Sequence, residues 1–248
     1  MSPRPELRPH AGPVPASEAA SIVGSRSGAL RAAIFGVNDG LVSNLALIMG
    51  VAGAGVDREV ILVAGIAGLL AGAFSMAAGE YASMRVQREL FERLLHIEAH
   101  EIGTDPEGET RELATLLERK GMPPAVAREA AESLMTEPNT ALEVHAKEEL
   151  GLDPDALGSP IGAAGSSFAT FAVGALLPLT PYFLTGGPAA AIAASAIALA
   201  ALAGVGAVMS RFTDRGAVFS GLRMVLLGGS AALVTYFVGR LLGVTALG

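Results

Sequence analysis

The chain has 248 residues, 51% hydrophobic and only 17% charged, with a mean hydropathy of +0.50. A soluble domain carries about 25% charged residues, and here the apolar excess falls in runs near the ~20 residues that cross a bilayer, which excludes an ordinary soluble protein. The net charge is −7, yet 18 of the 24 acidic residues and only 8 of the 17 Lys and Arg lie between Glu80 and Asp155, an acidic island that suits cations and excludes nucleic acid as a partner.

Residues 1–29 are rich in Pro, Ser and Ala and lack an apolar h-region, so they read as a disordered cytoplasmic tail rather than a secretory signal. A short helix is expected near Ser17 to Val23. The first span runs from about Ala32 to Gly55. Its opening, FGVNDGLVSN, places Asn38, Asp39, Ser43 and Asn44 in an apolar stretch. Asp39 lies eight residues past Arg31, roughly 12 Å deep at ~1.5 Å per residue. An ionisable group at that depth is costly and points to function, although a helix cap or a structural pair would also account for it. Gly36 and Gly40 form a G-x-x-x-G that allows close helix approach.

A polar turn, Val56 to Glu59, leads to the second span, Val60 to Met84. Gly65, Gly68, Gly72 and Gly79 line it with small residues. Met76 and Glu80 are four apart and share a face. The two spans are antiparallel, so Asp39 and Met76 come to similar depth. A carboxylate beside a thioether makes a transient site for a borderline divalent cation, whereas Met76 alone reads as packing.

The second span runs on as a charged helix, Arg85 to Ile102, followed by a turn at Thr104 to Gly108. Three amphipathic helices follow: Glu109 to Lys120, one opened by Pro123, and one opened by Pro138 and closed by Gly151. Leu113, Leu116, Leu117, Val126, Ala130 and Leu134 are the expected core. Glu98/Glu101 and Glu109/Glu112 are two Glu-x-x-Glu pairs, each with both carboxylates toward one side. If the helices pack across the turn, four carboxylates converge and need a cation among them. Glu148 and Glu149 offer a further ligand, and His145 sits one turn before Glu149. On spacing alone a solvated acidic face is the commoner meaning of Glu-x-x-Glu. His96 and His100 read as solvated, since neither HExxH nor a paired Glu-x-x-His is present.

Three more spans close the chain: Ile161 to Phe183, Ala189 to Met209 and Ala217 to Leu242. With no Cys, any metal site uses carboxylate, imidazole, thioether or carbonyl groups. Arg4, Arg8, Arg26 and Arg31 before the first span and Arg211 and Arg215 between the fourth and fifth put those segments in the cytoplasm by the positive-inside rule. The expected architecture is an all-α integral membrane protein. It has five transmembrane helices and a cytoplasmic acidic helical domain inserted between the second and third spans. The divisions are residues 1–29, 30–84, 85–155 and 156–248. The C-terminus lies outside, in a bacterial inner membrane or, in a eukaryote, a vacuolar-type membrane.

At GVNDGLVSNLALIMGVAGA, AGIAGLLAGAFSMAAGEYAS and HAKEELGL the chain resembles the vacuolar iron transporter family, from about Leu30 onward. The resemblance implies a five-span homodimer that moves Fe²⁺, and often Mn²⁺, out of the cytoplasm in exchange for protons. It implies no prosthetic group; Co²⁺ and Zn²⁺ are further candidate ions. The family's membrane aspartate and methionine fall on Asp39 and Met76, and its cytoplasmic metal-binding glutamates on Glu98, Glu101, Glu109, Glu112 and Glu149. Plant-type members carry a glutamate where this chain has Gly68, and a glycine where it has Glu80. The last helix of the insert resembles one with two methionines, where this chain has His145 and Ala146. Glu80, on the Met76 face, is the expected substitute for the absent acid. The expected translocation path is Asn38, Asp39, Met76 and Glu80. Two other readings stand beside transport: a membrane-anchored iron-binding or ferroxidase protein, and a membrane scaffold with an acidic interaction domain.

Overall fold

The computed structural model describes residues 25–151, 158–213 and 215–247, and every regular element among them is a helix. In chain order these are α1 (Ser25–Gly53), α2 (Arg58–Thr104), α3 (Pro106–Arg119), α4 (Pro124–Leu134), α5 (Pro138–Glu148), α6 (Pro160–Leu184), α7 (Gly187–Thr213) and α8 (Ala217–Leu247). Five of them, α1, α2, α6, α7 and α8, are long and apolar enough to cross a membrane. The expected boundaries hold to within a few residues, except that α1 begins at Ser25, inside the segment expected to be disordered. The helix expected near Ser17 lies outside the described residues.

α2 is a single helix of 47 residues, about 70 Å at ~1.5 Å per residue, more than twice the ~30 Å hydrocarbon core. Its apolar half, through Met84, spans, and its charged half projects beyond. Arg85–Glu89 and Arg88–Glu92 pairs, at 2.8 and 2.9 Å, run one turn apart along the projecting half; exposed pairs of this kind each add only a few tenths of a kcal/mol. Asp105 ends α2 and opens α3 in one residue: its N–H bonds to Glu101 C=O, and its side chain accepts the Gly108 N–H. Pro106 at the first position of α3 gives up an N–H that had no helical partner.

α1 lies at the centre of the membrane bundle, packed mainly against α6 and α8, with α2 and α7 also in contact. The contacts depend on glycine. A Cβ at Gly40 would stand 2.2 Å from Phe171 C=O on α6, and one at Gly239 on α8 would stand 1.8 Å from Gly50 C=O. Backbones this close leave no room for any side chain. Inside α6, Pro181 supplies no N–H to Leu177 C=O. The Thr180 hydroxyl donates to that carbonyl instead, at 2.7 Å, so this acceptor is not left orphaned in the apolar layer.

The short helices form their own small core of Leu113, Ala114 and Ala131, with Leu117, Leu134, Met135 and Val144 against it. One expectation fails here. Val126 is 51% exposed, and α4 turns Ala127 and Ala131 inward instead. Ala127 and Ala131 place small side chains on the face toward α3, where the expected face would have set the larger Val126.

Candidate metal centre

Two separate constellations sit along α2. The outer one collects Glu98 from α2, Glu109 from α3, His145 from α5 and Glu149 just beyond α5. One ligand atom from each lies within 4.8 Å of the others. Local signals place them. The single-residue α2–α3 joint turns Glu109 back toward Glu98. Glu137 accepts the Thr140 N–H at the start of α5, fixing the helix that carries His145. Lys120, at the end of α3, pairs with Glu148, so Glu148 is tied up as an ion-pair partner and does not join the cluster, while Glu149 is turned toward it.

His145 is fully buried and Glu98 is 3% exposed. His145 Nδ1 stands 2.9 Å from Glu98 Oε1, 3.6 Å from Glu109 Oε2 and 3.7 Å from Glu149 Oε2. Neither imidazole nitrogen nor Glu98 Oε1 has a hydrogen-bond partner. The groups converge without the alignment of a hydrogen bond, an arrangement a shared cation would satisfy. The electrostatics agree. Burial pushes the Glu98 carboxyl up to about 7, and the negative charges of Glu149, Glu109, Glu101 and Glu112 push the same way. Burial also raises Glu109, with His145 opposing. Carboxylates crowded in this way hold charge reluctantly unless a cation joins them.

Only one member of each Glu-x-x-Glu pair enters the cluster. Residues three apart on a helix differ by about 60° in direction, and the turn aims Glu98 and Glu109 inward while Glu101 and Glu112 stay exposed. These two act on Glu98 through charge without joining the close group. His96 and His100 are exposed on the opposite side of α2.

The inner constellation is a cavity of about 200 Å³ where α1 and α2 face α6. Asp39, Ser43, Asn44, Ser75, Met76 and Phe171 are among the residues that line it. Gly68 and Gly72 lie in its wall, and the absence of side chains there keeps it open. Asp39 and Met76 therefore share one cavity. Asn38 and Glu80 do not line it. Asn38 Oδ1 is buried without a hydrogen-bond partner, and Glu80 is half-buried one turn past Met76. Ser43 and Asn44 have no role in the sequence reading; for Ser43 the usable signal is its spacing of one helical turn from Asp39, whereas Asn44, five residues on, carries no such signal. Nothing in the sequence marked Ser75.

The VIT family model matches residues 30–240. A tulip protein named vacuolar iron transporter 1 is 34% identical over 84% of each chain. A rice vacuolar iron transporter 2 is also 34% identical, over 84% of this chain and 85% of its own. A vacuolar iron transporter of Acanthamoeba castellanii is 36% identical over 85% of this chain and 73% of its own.

Proposed function

The chain belongs to the VIT family, and from that premise we propose that it is a secondary transporter that carries Fe²⁺, and Mn²⁺ with it, out of the cytoplasm in exchange for protons. One observation carries the reading. The buried carboxylate–imidazole cluster and the membrane cavity stand on the same uninterrupted helix. Glu98 and Met76 are 22 residues apart in the sequence, about 33 Å along α2.

The outer cluster gathers cytosolic cations with oxygen and imidazole ligands, a set suited to Fe²⁺, Mn²⁺, Co²⁺ and Zn²⁺ alike. The cation then passes Asp39 and Met76, and protons return through carboxylates that change charge in the cycle. The N-terminal segment and the acidic helices face the cytoplasm, with the C-terminus outside. The loop between α6 and α7 carries no Lys or Arg, whereas Arg211 and Arg215 flank the turn between α7 and α8, which supports that orientation. Asp39 is exposed on the single chain. A carboxylate left toward lipid is costly, so the exposed face at Asp39 is the one a second copy of the chain would cover in a homodimer.

The test is reconstitution of the full chain into vesicles with an imposed pH gradient, with Fe²⁺, Mn²⁺, Co²⁺ and Zn²⁺ flux followed alongside proton movement. Transport predicts cation flux that reverses with the gradient. Metal binding without flux above protein-free vesicles, accompanied by oxygen consumption on adding Fe²⁺, would replace it with the ferroxidase reading, which has no use for the membrane cavity.

A further inference from the structure

The geometry points to Asn44 as a third cation ligand in the membrane cavity, a neutral oxygen beside Asp39 and Met76; this rests on the transport reading above. Asn44 is 2% exposed. Its Nδ2 donates to Ala175 C=O on α6 at 2.7 Å. A carbonyl only accepts, so flipping the amide would set oxygen against oxygen, and the orientation is therefore fixed by chemistry. Oδ1 must then point away from Ala175. It is buried and has no hydrogen-bond partner, a costly state for an amide oxygen.

Its direction can be read from Gly68. A Cβ built there would stand 3.1 Å from Asn44 Oδ1, and Gly68 and Asn44 line the same cavity as Asp39 and Met76. The oxygen thus lies against the cavity wall opposite α6, held by a bond behind it, with its lone pairs unused. Such a group suits a cation that has lost part of its water shell.

The three ligands differ in kind: a carboxylate, an amide carbonyl and a thioether. Oxygen ligands favour hard cations such as Mn²⁺, and the thioether favours softer ones. Among the described residues Asp39 is the only carboxylate lining this cavity. With Asn44 neutral, a divalent cation there keeps a net positive charge and is free to leave, as conduction requires.

The test compares Asn44→Leu, of similar volume, and Asn44→Asp with the unaltered full chain in vesicles. Mn²⁺ and Cd²⁺ are the probes, a hard and a soft cation. Asn44→Leu is expected to raise KM for Mn²⁺ about tenfold and for Cd²⁺ much less. Asn44→Asp is expected to lower both KM and kcat for Mn²⁺, since a second carboxylate holds the cation. Loss of the Ala175 hydrogen bond alone would reduce the folded yield without moving the Mn²⁺-to-Cd²⁺ ratio. Unchanged Mn²⁺ KM and selectivity in Asn44→Leu overturn the assignment.

A binding arm keeps this distinct from the transport reading. With the outer cluster silenced by Glu98→Gln and His145→Gln, Mn²⁺ bound to the detergent-purified full chain is counted by electron paramagnetic resonance. One site is expected to remain and to bind Mn²⁺ about tenfold more weakly on adding Asn44→Leu. If its affinity is unchanged, Asn44 is not a ligand. If vesicles show no flux but this site behaves as stated, transport falls and the ligand assignment stands.

Discussion

Glu98→Gln tests the outer cluster through protons. The Glu98 carboxyl titrates at about 7 in the folded chain, against an ordinary 4.5, because it is buried and faces four other glutamates. A cation needs it ionised. At pH 6, one unit below its pKa, roughly nine in ten Glu98 carboxyls hold a proton, so binding one Mn²⁺ must expel about one proton from this group. At pH 8 almost none is left to expel. Apparent Mn²⁺ affinity is therefore expected to weaken about tenfold between pH 8 and pH 6 from Glu98 alone. The separating measurement is calorimetry of Mn²⁺ binding at pH 6 in two buffers of different ionisation enthalpy, which counts protons released. The Glu98→Gln variant is expected to release about one proton fewer than the unaltered chain. Equal counts would mean that Glu98 is already ionised, or is not a ligand, and the cluster argument would fail. The same group sets the sign of stability against pH. Its folded pKa is raised, so the metal-free fold binds more protons than the unfolded chain between about 4.5 and 7. Its contribution is fully present below pH 4.5 and is lost as pH rises through 7. The gap corresponds to at most about 3 kcal/mol at ~1.4 kcal/mol per pH unit. Metal-free protein is thus expected to melt at lower temperature at pH 8 than at pH 5, with Mn²⁺ restoring the difference.

Three further outcomes are expected. Asp39→Ala brings Mn²⁺ flux down to the level of protein-free vesicles while Mn²⁺ still binds the outer cluster; retained flux in metal-loaded vesicles would remove Asp39 from the path. Glu80→Gln changes the rate and pH dependence of Fe²⁺ transport if Glu80 replaces the acid absent at Gly68, and an unchanged profile would end that idea. Gly239→Ala forces α8 away from α1, where the added Cβ would meet Gly50 C=O at 1.8 Å. A destabilisation of about 1–3 kcal/mol should appear as a lower melting temperature in detergent, whereas an unchanged one would place the α1–α8 contact elsewhere.

The spans and the helical character of the island were legible because they depend on local pattern. Length and hydropathy mark the membrane helices, and Pro138 opens α5 as expected; α4 opens at Pro124, one residue past the expected Pro123, and α3 at Pro106, three before the expected Glu109. Met76 and Asp39 could be matched in depth because an antiparallel pair of fixed rise leaves little choice. The rotation of each helix about its own axis was far less legible. Val126 and Ala127 are both apolar, and only the close packing of α4 on α3 decides which goes inside. Glu98 and Glu101 are equally acidic, and only the one-residue joint at Asp105 decides which faces His145. Glu148 and Glu149 are adjacent, and Lys120, 28 positions before Glu148, selects between them by pairing with the first.

Asn44 and Gly68 sharpen the question of the missing acid. Without a side chain at position 68, the wall of the cavity is met from α1 by Leu47 and by the amide oxygen of Asn44. Glu80 lies one turn beyond Met76 on α2 and is not among the residues that line this cavity. The chain therefore supplies oxygen near Gly68 but not charge. A neutral oxygen can hold a cation and cannot carry a proton, so the two duties that one glutamate can combine are separated here. Cation contact falls to Asn44 within the cavity, and any proton exchange must use Asp39 or a carboxylate outside it, of which Glu80 is the nearest along α2. Selectivity and proton coupling should then respond to different substitutions, the first to Asn44→Leu and the second to Glu80→Gln. If one variant moved both together, a single shared site would describe the cavity better than two.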